Sequence, residues 1–588
     1  MTYTNLPDSS SYNLPQARSE QPGGSLGRKY KATVKSERRG HSSSFPIEQL
    51  SVDLLIRCLH WYIVGVCEAA ARHSHSSKLF HLEDGHILED TRGPAPYSWL
   101  AIRHVCRAWR KIALTYPQLS AHIFLTRPEC VQDLLGRVGP VEITVYDASI
   151  EYNTKHRARV ADSCSLILAH FAQVAHGRLC VMDDTLAKEL SEALGDRSCN
   201  ARSLALVFTQ LGIRQSPFPA GAHFPELREL SCHNMALPNL ALNAPRLRAL
   251  RLTSDIGMNM LSADVLALLG STSGLEELVL DGILAESETW PHVHEVDPET
   301  ARWHTVTLPT LRLLRVSTQY ATTAMFFLHQ VLHPATTALD ISFASLGRDL
   351  HVYCDCLVAI VLDKIDAWLS LDKLPFRCLS LACTGTKHKG SFLLRLSQDD
   401  FNLDPSTPTR EIPFFQLSSQ GAEPVDQTFF VALVHALPLA DSITSASITQ
   451  SGGYWHMLNW AELLTSLTQL EVLRLGYETH RGPARRAAPS RKISALDPAA
   501  LAPRLRLLAV SEARVSHLDP SHSVPLAQLA FALSARADSA RRAGDTHGLV
   551  VQVERDGMLP WPRLPQSKVS RWLGSLLPSS SSTARSRR

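Results

Sequence analysis

Apolar residues recur at three- and four-residue steps in two N-terminal segments of the chain. The first segment opens on Pro46, which suits the first turn of a helix. Its apolar positions are Ile47, Leu50, Leu54, Cys58 and Trp61, and the stripe is widened by Val52, Leu55, Ile56 and Leu59. Such a stripe is wider than one buried face needs, so we predict one face that packs within the chain and one that binds a partner.

A second helix is predicted from about Ser98, a good N-cap residue, to about Thr115, where Tyr116 and Pro117 end it. Its apolar positions, Val105, Cys106, Trp109, Ile112 and Ala113, lie between basic residues. The polar segment between the two helices, at about 67–96, is predicted to be an inserted loop.

Beyond residue 127 the pattern changes to short alternating runs that share the skeleton L-x-x-L-x-L. Copies occur at 224–234, 244–252, 274–280, 308–316, 467–475 and 502–510, and weaker copies at 204–206, 339–341 and 379–381. Alternating leucines place one face of a short strand inward, and the leading leucine fills the turn that enters the strand. One such unit cannot bury its own apolar face, so the units are predicted to stack.

Steps between clear copies run from about 20 to 40 residues, against roughly 20 to 29 in regular leucine-rich repeats. Helical spacing is seen between the copies, at 262–269, 428–437, 459–467 and 525–533. These patterns predict an α/β chain: an all-helical N-terminal module followed by an irregular leucine-rich-repeat solenoid, with parallel strands on one side and helices on the other. The predicted parts are a disordered basic arm at 1–44, a helical domain at 45–125, repeats at 126–560, and a short helix with a Ser/Arg tail at 561–588.

Composition agrees with an ordinary globular chain. Hydrophobic residues make up 45% and charged residues 20% of the 588 positions, and the net charge is +3. Near-neutral charge gives no general argument for nucleic-acid binding, and the absence of a long apolar run argues against a membrane span or a secretory leader. The 12 irregularly spaced cysteines are expected to be reduced, so we predict a location in the cytoplasm, the nucleus or both.

Catalytic motifs are incomplete. The segment at 270–274 has Thr where a nucleophile elbow needs Gly-x-Ser-x-Gly, and the segment at 385–391 lacks the Lys of a phosphate loop. Cys354 and Cys356 have no matching pair at zinc-site spacing. The chain is therefore predicted not to be an enzyme and to need no cofactor or metal.

The two helical segments resemble the F-box, specifically the divergent F-box-like group of mushroom-forming fungi, whose members often carry leucine-rich-like repeats. The resemblance covers residues 45–59 and 99–123, including Val-Cys-Arg-Ala-Trp-Arg-Lys-Ile-Ala at 105–113. Residues 129–145 are similar to the helix-then-strand segment that follows the F-box in that group. The resemblance implies the substrate-recognition subunit of a cullin-type (SCF) ubiquitin ligase, which binds a Skp-family adaptor, and through it a cullin, and presents its repeats to a target protein.

The residues that the resemblance and the apolar stripe assign to adaptor binding are Pro46, Ile47, Leu50, Leu54, Leu55, Cys58, Leu59, Val105, Cys106, Trp109 and Ile112. Neither nucleic acid nor membrane is expected as a partner. Three alternatives stay open. Cys106 and Trp109 serve either the adaptor or the packing of the helix pair, the basic arm is either a nuclear signal or a linker, and the whole chain is either a ligase subunit or a repeat scaffold without ligase association.

Overall fold

The structure is a computed structural model. It describes residues 50–79, 97–146, 154–195, 200–208, 218, 223–235, 243–254, 260–285, 305–345, 355, 358–359, 361–366, 376–385, 390–397, 414–422, 432–433, 436–437, 442–450, 464, 467–477, 504–511, 542 and 550–554. The chain divides into two compact units, Met1–Leu55 and Ile56–Arg588.

The helices whose bounds the described residues define are α1 (Val52–Leu79), α2 (Arg107–Thr115), α3 (Pro128–Val138), α4 (Thr154–Leu168), α5 (Asp184–Gly195), α6 (Ser262–Gly270) and α7 (Ala321–Gln330). Short 3-10 helices span Ser98–His104, Pro117–Ser120 and Phe171–Gln173. α4 packs against the strand Val174–Val181, and α7 packs against the strands Leu313–Tyr320 and Ala338–Ser345.

The strands extend over the length of the described chain. They are β1 (His122–Phe124), β2 (Ile143–Tyr146), β3 (Val174–Val181), β4 (Ser203–Phe208), β5 (Glu229–His233), β6 (Ala249–Thr253), β7 (Glu277–Asp281), β8 (Val306–Thr307), β9 (Leu313–Tyr320), β10 (Val331–Leu332), β11 (Ala338–Ser345), β12 (Cys378–Gly385), β13 (Gly390–Ser397), β14 (Phe414–Ala422), β15 (Ser445–Gln450), β16 (Val472–Tyr477), β17 (Leu507–Ser511) and β18 (Val550–Glu554).

Sixteen of these described strands form one sheet. Its order is β1-β2-β3-β4-β5-β6-β7-β9-β11-β14-β13-β12-β15-β16-β17-β18, while β8 and β10 pair separately. Neighbouring strands are parallel except that β13 runs antiparallel to β12 and β14. The strand order follows the chain apart from this reversed triplet, as expected of consecutive units that each add one strand.

Every copy of the leucine skeleton forms a strand, so this prediction is confirmed. The clear copies form β5, β6, β7, β9, β16 and β17, and the weaker copies form β4, β11 and β12. The leading leucines Leu227, Leu247, Leu275, Leu311 and Leu470 are buried, and each donates its N–H to the carbonyl three residues earlier. The predicted turn at the entrance to each strand is therefore present.

The two skeleton positions inside each strand line up across the sheet. Leu204, Leu230, Leu250, Leu278, Leu314 and Leu339 are in register, and so are Leu206, Cys232, Leu252, Leu280, Val316 and Ile341. All twelve side chains are buried. We call these rows the two leucine ladders. Because side chains alternate along a strand, both ladders lie on one face and the residues between them lie on the other.

A shared hydrogen-bond pattern joins successive units. The carbonyl of the residue just before or at the entrance of one strand accepts from two consecutive N–H groups at the start of the next. Such carbonyls are those of Arg202, Arg228, Arg248, Glu276, Arg377, Thr444 and Glu471. The same local geometry therefore recurs on both sides of the antiparallel triplet.

The large, mostly parallel sheet with helices confirms the predicted mixed α/β class. The helix predicted at 262–269 is α6, and the helix-then-strand segment at 129–145 forms α3 and β2. The residues at 428–437 and 459–467 are described only in part. The helix at 525–533, the basic arm at 1–44 and the tail at 561–588 lie outside the described residues.

Two local expectations differ from the structure. Helix α1 extends to Leu79, so the first part of the segment predicted to be a loop at 67–96 is helical, while residues 80–96 lie outside the described chain. Strand β1 already lies within the segment predicted to be helical at 45–125. The polar composition after residue 67 predicted a loop, but composition does not determine where a helix ends.

Candidate adaptor-binding module

The N-terminal unit contributes the start of α1. The Ser51 hydroxyl oxygen accepts from the Leu54 N–H at 3.3 Å, and the Ser51 carbonyl accepts from the Leu55 N–H, so Ser51 is the N-cap. Leu50 is half-buried, Leu54 is 47% exposed and Leu55 is 8% exposed. Pro46 and Ile47, which were also assigned to adaptor binding, lie outside the described residues.

The remaining part of α1 belongs to the second unit and has two apolar stripes. Leu59, Ile63 and Cys67 recur every four residues and are buried. Beside them, Trp61 is 76% exposed and Tyr62 is 49% exposed. The helix therefore has more apolar surface than its own chain covers, as the width of the sequence pattern predicted.

The second predicted helix is divided in two. A 3-10 helix spans Ser98–His104, the backbone then becomes extended at Cys106, and α2 begins at Arg107. The Cys106 sulfur accepts from the Trp109 N–H at 3.5 Å, so this residue caps α2. A thiol at an N-cap is unusual, which is why the sequence predicted one continuous helix here.

The candidate residues of this second segment differ in exposure. Val105 is 60% exposed and Cys106 is exposed, Trp109 is half-buried, and Ile112 is buried with Ala113 beside it. The hydrogen bond that the Cys106 sulfur accepts from the Trp109 N–H is local to this segment. The exposed side chain of Cys106 and that of Val105 are accessible to a partner, whereas Ile112 packs inside the chain.

Tyr97, which precedes the 3-10 helix Ser98–His104, forms hydrogen bonds with β1 at the edge of the sheet. Its hydroxyl donates to the Phe124 carbonyl at 2.6 Å and accepts from the Phe124 N–H at 2.9 Å. The two rings make an edge-to-face contact, with centroids 5.4 Å apart. Burial raises the pKa of the Tyr97 hydroxyl well above its ordinary value, so the group stays protonated and keeps its donor. A side chain thus satisfies backbone groups of β1 at the end of the sheet.

We expect Tyr97→Phe to cost about 1–3 kcal/mol of stability, because the Phe124 N–H and carbonyl lose their partner away from water. Hydrogen exchange at the Phe124 amide measures the local effect, and it should accelerate. Tyr62→Phe is the matched control, since that side chain is 49% exposed. Equal exchange rates at Phe124 in the wild type and in Tyr97→Phe would contradict this role.

A row of rings continues from Phe124 into α1. The Phe124 and Tyr146 rings stack at 4.9 Å, His122 stacks on Tyr146 at 6.1 Å, and His60 of α1 lies 5.5 Å from His122. His122 Nδ1 lies 3.2 Å from the Tyr146 hydroxyl oxygen. Burial, together with His60 and His176, lowers the pKa of His122 to about 4. Helix α1 is thereby joined to the first two strands through a neutral histidine.

This histidine makes stability depend on pH. The unfolded chain binds a proton at His122 near pH 6.5, whereas the folded chain does so only near pH 4. Stability is therefore lost as the pH falls from 6.5 towards 4, by about 2 kcal/mol between pH 7 and pH 4.5. We measure the free energy of unfolding in urea at pH 7 and at pH 4.5. The difference between these two free energies should be smaller in His122→Phe by about 2 kcal/mol. His104→Gln, at an exposed position, should retain it. An unchanged difference in His122→Phe would assign it to other groups.

The residues of the second unit that were predicted to bind the adaptor therefore differ in exposure. Leu59 and Ile112 are buried, Trp109 is half-buried, and Cys58, Val105 and Cys106 are exposed. The sequence did not assign adaptor contact to Trp61, Tyr62 or Leu114, which are also exposed. Trp61 lies on the apolar stripe that the sequence predicts for the first helix, and the excess width of that stripe is the signal that indicates its exposure.

Within the described residues, no three His, Cys, Asp or Glu side chains are grouped closely enough to hold a metal ion. Burial and then Glu68 raise the pKa of the Cys67 thiol to about 12, so this cysteine is a packing residue rather than a nucleophile. No helix in this part of the chain is both long enough and apolar enough to span a membrane.

Comparison with known proteins gives no family assignment, because no family model and no curated protein matches the chain.

Proposed function

We propose that this chain is the substrate-recognition subunit of a cullin-type (SCF) ubiquitin ligase. In this proposal the F-box-like helices bind a Skp-family adaptor, which links the chain to a cullin. The sheet is the inner surface of an irregular leucine-rich-repeat solenoid and binds the target protein.

The observation that carries the proposal is the apolar surface left exposed on the helices. Trp61 is 76% exposed, Val105 is 60% exposed and Tyr62 is 49% exposed. Trp and Tyr are enriched among the residues that dominate binding energy at protein interfaces. Burying such side chains against a partner removes their apolar surface from water, at about 25 cal/mol per Å².

The repeat part of the proposal is supported by the regular joining of units. Strands follow the chain order, the leucine ladders keep one register, and the entrance carbonyls repeat the same pair of hydrogen bonds. Units that contact mainly their neighbours are the building principle of solenoids. Their sheet offers a broad surface of polar residues to a target.

The mechanism of such a receptor is proximity. Holding a target beside the charged conjugating enzyme converts an encounter between two molecules into a reaction within one assembly. The chain's own residues then bind and orient, and they make or break no bond. The proposal includes no cofactor, no enzyme activity of its own, and a location in the cytoplasm, the nucleus or both.

Co-purification of the full chain with a Skp-family adaptor tests the proposal. We expect a complex that survives size-exclusion chromatography, and addition of a cullin should shift it to a larger size. Failure of the correctly folded wild-type chain to bind the adaptor would reject ligase association.

A second candidate is a repeat scaffold without ligase association. It is supported by the burial of Leu55, Leu59 and Ile112, three of the residues predicted to bind the adaptor, because a buried side chain is not open to a partner. The same co-purification distinguishes the two candidates, because the scaffold binds protein partners through its repeats but no adaptor.

A further inference from the structure

Three cations surround an exposed leucine on the outer side of α2. Leu114 is 39% exposed, and Arg107, Arg110 and Lys111 are all exposed. Lys111, Arg110 and Arg107 precede Leu114 by three, four and seven positions, so the four side chains share one side of the helix. We call these four residues the basic face of α2.

The opposite side of α2 packs within the chain. Ile112 and Ala113 are buried, and Trp109 is half-buried. Two of these residues, Trp109 and Ile112, are the positions inside α2 that were predicted to bind the adaptor. The basic face is therefore a separate surface, and its exposure is not explained by the packing of the helix.

The chain supplies no described carboxylate to the basic face. The sequence contains no Asp or Glu from position 97 to position 128, and the first turn of α2 has none. Asp133, in α3, is bound instead by Nε and a terminal nitrogen of Arg137 at 2.8–3.0 Å. Within the described chain, no carboxylate forms an ion pair with any of the three cations.

The side chains of the three cations differ in how far they are held in place. Arg110 Nε donates to the Arg103 carbonyl at 2.8 Å, which fixes this side chain beside the preceding 3-10 helix. The side chains of Arg107 and Lys111 make no hydrogen bond or ion pair with a described residue. Two of the three cations are therefore available to a ligand.

This placement of charge disfavours the isolated helix. Arg107 lies three residues from Arg110 and four from Lys111, and like charges at these spacings repel. Positive charge in the first turn also opposes the helix dipole. Where a sequence breaks such local rules without compensation inside the chain, a functional site is expected.

The arrangement of the basic face indicates the chemistry of its ligand. An apolar centre with a charged rim is the usual organisation of a protein interface, and arginine is enriched among the residues that dominate binding. Guanidinium groups bind carboxylates through paired hydrogen bonds. α2 has nine residues and is therefore about 13 Å long. Such a short convex ridge fits the seam of another helix, in which neighbouring apolar side chains form a hole for Leu114.

We propose that the basic face of α2 binds an amphipathic helix of a partner protein, whose apolar stripe receives Leu114 and whose flanking Asp or Glu side chains pair with Arg107, Arg110 and Lys111. This inference goes beyond the proposed function, because the binding requires neither the adaptor nor the repeats.

Nucleic acid and membranes fit the basic face less well. Nucleic-acid binding through phosphates is an interaction between charges, and it makes no use of an exposed leucine at the centre of the face. A helix that lies in a membrane surface buries a broad apolar side among the lipids. In α2 that side, with Ile112 and Ala113, is already buried in the chain.

The test is fluorescence anisotropy of the full chain with labelled helical peptides of about three heptads. The first peptide has a leucine stripe flanked by Glu, the second has Gln in place of Glu, and the third has Ser in place of the leucines. We expect the first to bind and the others to bind at least about tenfold more weakly. Equal binding of the first two peptides, or no binding of the first at low salt, would overturn the proposal.

A charge variant and its control change the net charge equally. Arg107→Gln with Lys111→Gln should weaken binding of the first peptide about tenfold. Arg312→Gln with Lys188→Gln removes one exposed arginine and one exposed lysine outside α2, and binding should remain within about twofold. Equal weakening by both pairs would show nonspecific attraction and would overturn the proposal.

An apolar variant keeps the proposal testable if the charge variant fails to fold. Leu114→Ser should weaken binding of the first peptide about fivefold or more, because the leucine is the apolar centre of the contact. Leu261→Ser, at a position that is 60% exposed, should leave binding unchanged. Unchanged binding in Leu114→Ser would overturn the proposed contact.

The chain also has acidic residues that could compete for the basic face. Glu83, Asp84, Glu89 and Asp90 lie outside the described residues. A chain with Gln or Asn at these four positions should bind the first peptide with unchanged affinity. Binding that became about tenfold tighter would show that the chain's own carboxylates occupy the face, and it would overturn the external partner.

Two further measurements distinguish the partner class and the proposed function. An oligonucleotide that bound more tightly than the acidic peptide, and lost affinity in the charge variant, would overturn the proposal in favour of nucleic acid. The charge variant should retain the adaptor, and loss of the adaptor would overturn the proposal by making the basic face part of the adaptor interface. A wild-type chain that bound the acidic peptide but no adaptor would reject only the ligase role.

Discussion

The double substitution Leu50→Asp and Leu54→Asp is expected to abolish adaptor binding and to leave the repeat sheet folded. Leu54 is 47% exposed and Leu50 is half-buried, so both have apolar surface that a partner could cover. Each buried leucine contributes about 1.5–3 kcal/mol, and an unpaired carboxylate in the interface adds a further penalty. Affinity should therefore fall at least about 100-fold, as measured by calorimetry with the purified adaptor.

The helix itself should tolerate this change. Ser51 is the N-cap of α1, so position 54 lies in the first helical turn beside Asp53. A carboxylate there interacts favourably with the positive end of the helix dipole. Far-ultraviolet circular dichroism of the variant should match that of the wild type, which would assign the lost affinity to the surface rather than to unfolding.

Leu261→Asp with Leu332→Asp is the matched control. Both leucines are exposed, Leu332 to the same 47% as Leu54, and they lie at the start of α6 and in β10. This variant carries the same added charge and should bind the adaptor normally. Persistent binding of the Leu50 and Leu54 variant would place the interface elsewhere, with Trp61 and Val105 as the next positions to substitute.

The sheet was predictable from sequence because each unit carries its own signal. Leu250, Leu252 and the leading Leu247 specify a turn and a strand within a few residues, and the next unit repeats the same arrangement. The antiparallel β13 was not predicted. Its alternating Phe392, Leu394 and Leu396 fit a buried strand whether it runs parallel or antiparallel to its neighbours. The direction of a strand depends on the chain segments that connect it to its neighbours, and the apolar pattern does not reveal it.

Register across the sheet is a second limit of prediction from the sequence. Leu206 and Ile341 lie in the same leucine ladder although 135 positions separate them in the sequence, and this alignment becomes visible only when strand order and register are known. The prediction of the N-terminal helical module had a different limit. Its pattern predicted apolar faces, but it could not distinguish the exposed Val105 from the buried Ile112, because both are apolar residues of one short segment.

Leu280→Asp should produce the largest loss of stability. Leu280 is the fourth of the five residues of β7, is fully buried, and is in register with Leu252 on one side and Val316 on the other. Truncation of such a leucine to Ala costs about 2–5 kcal/mol. A carboxylate at this place has no partner and costs more, so the strand should not remain in the sheet at neutral pH.

Leu261→Asp provides the same chemical change at a position that is 60% exposed, and it should leave the protein stable. Hydrogen exchange measured by mass spectrometry resolves how far the damage extends. If units interact mainly with their neighbours, Leu280→Asp should remove protection from β6, β7 and β9 and leave β16 and β17 protected. Loss of protection in all of these strands together would show one cooperative sheet, and that result would argue against the solenoid on which the proposed presentation of a target depends.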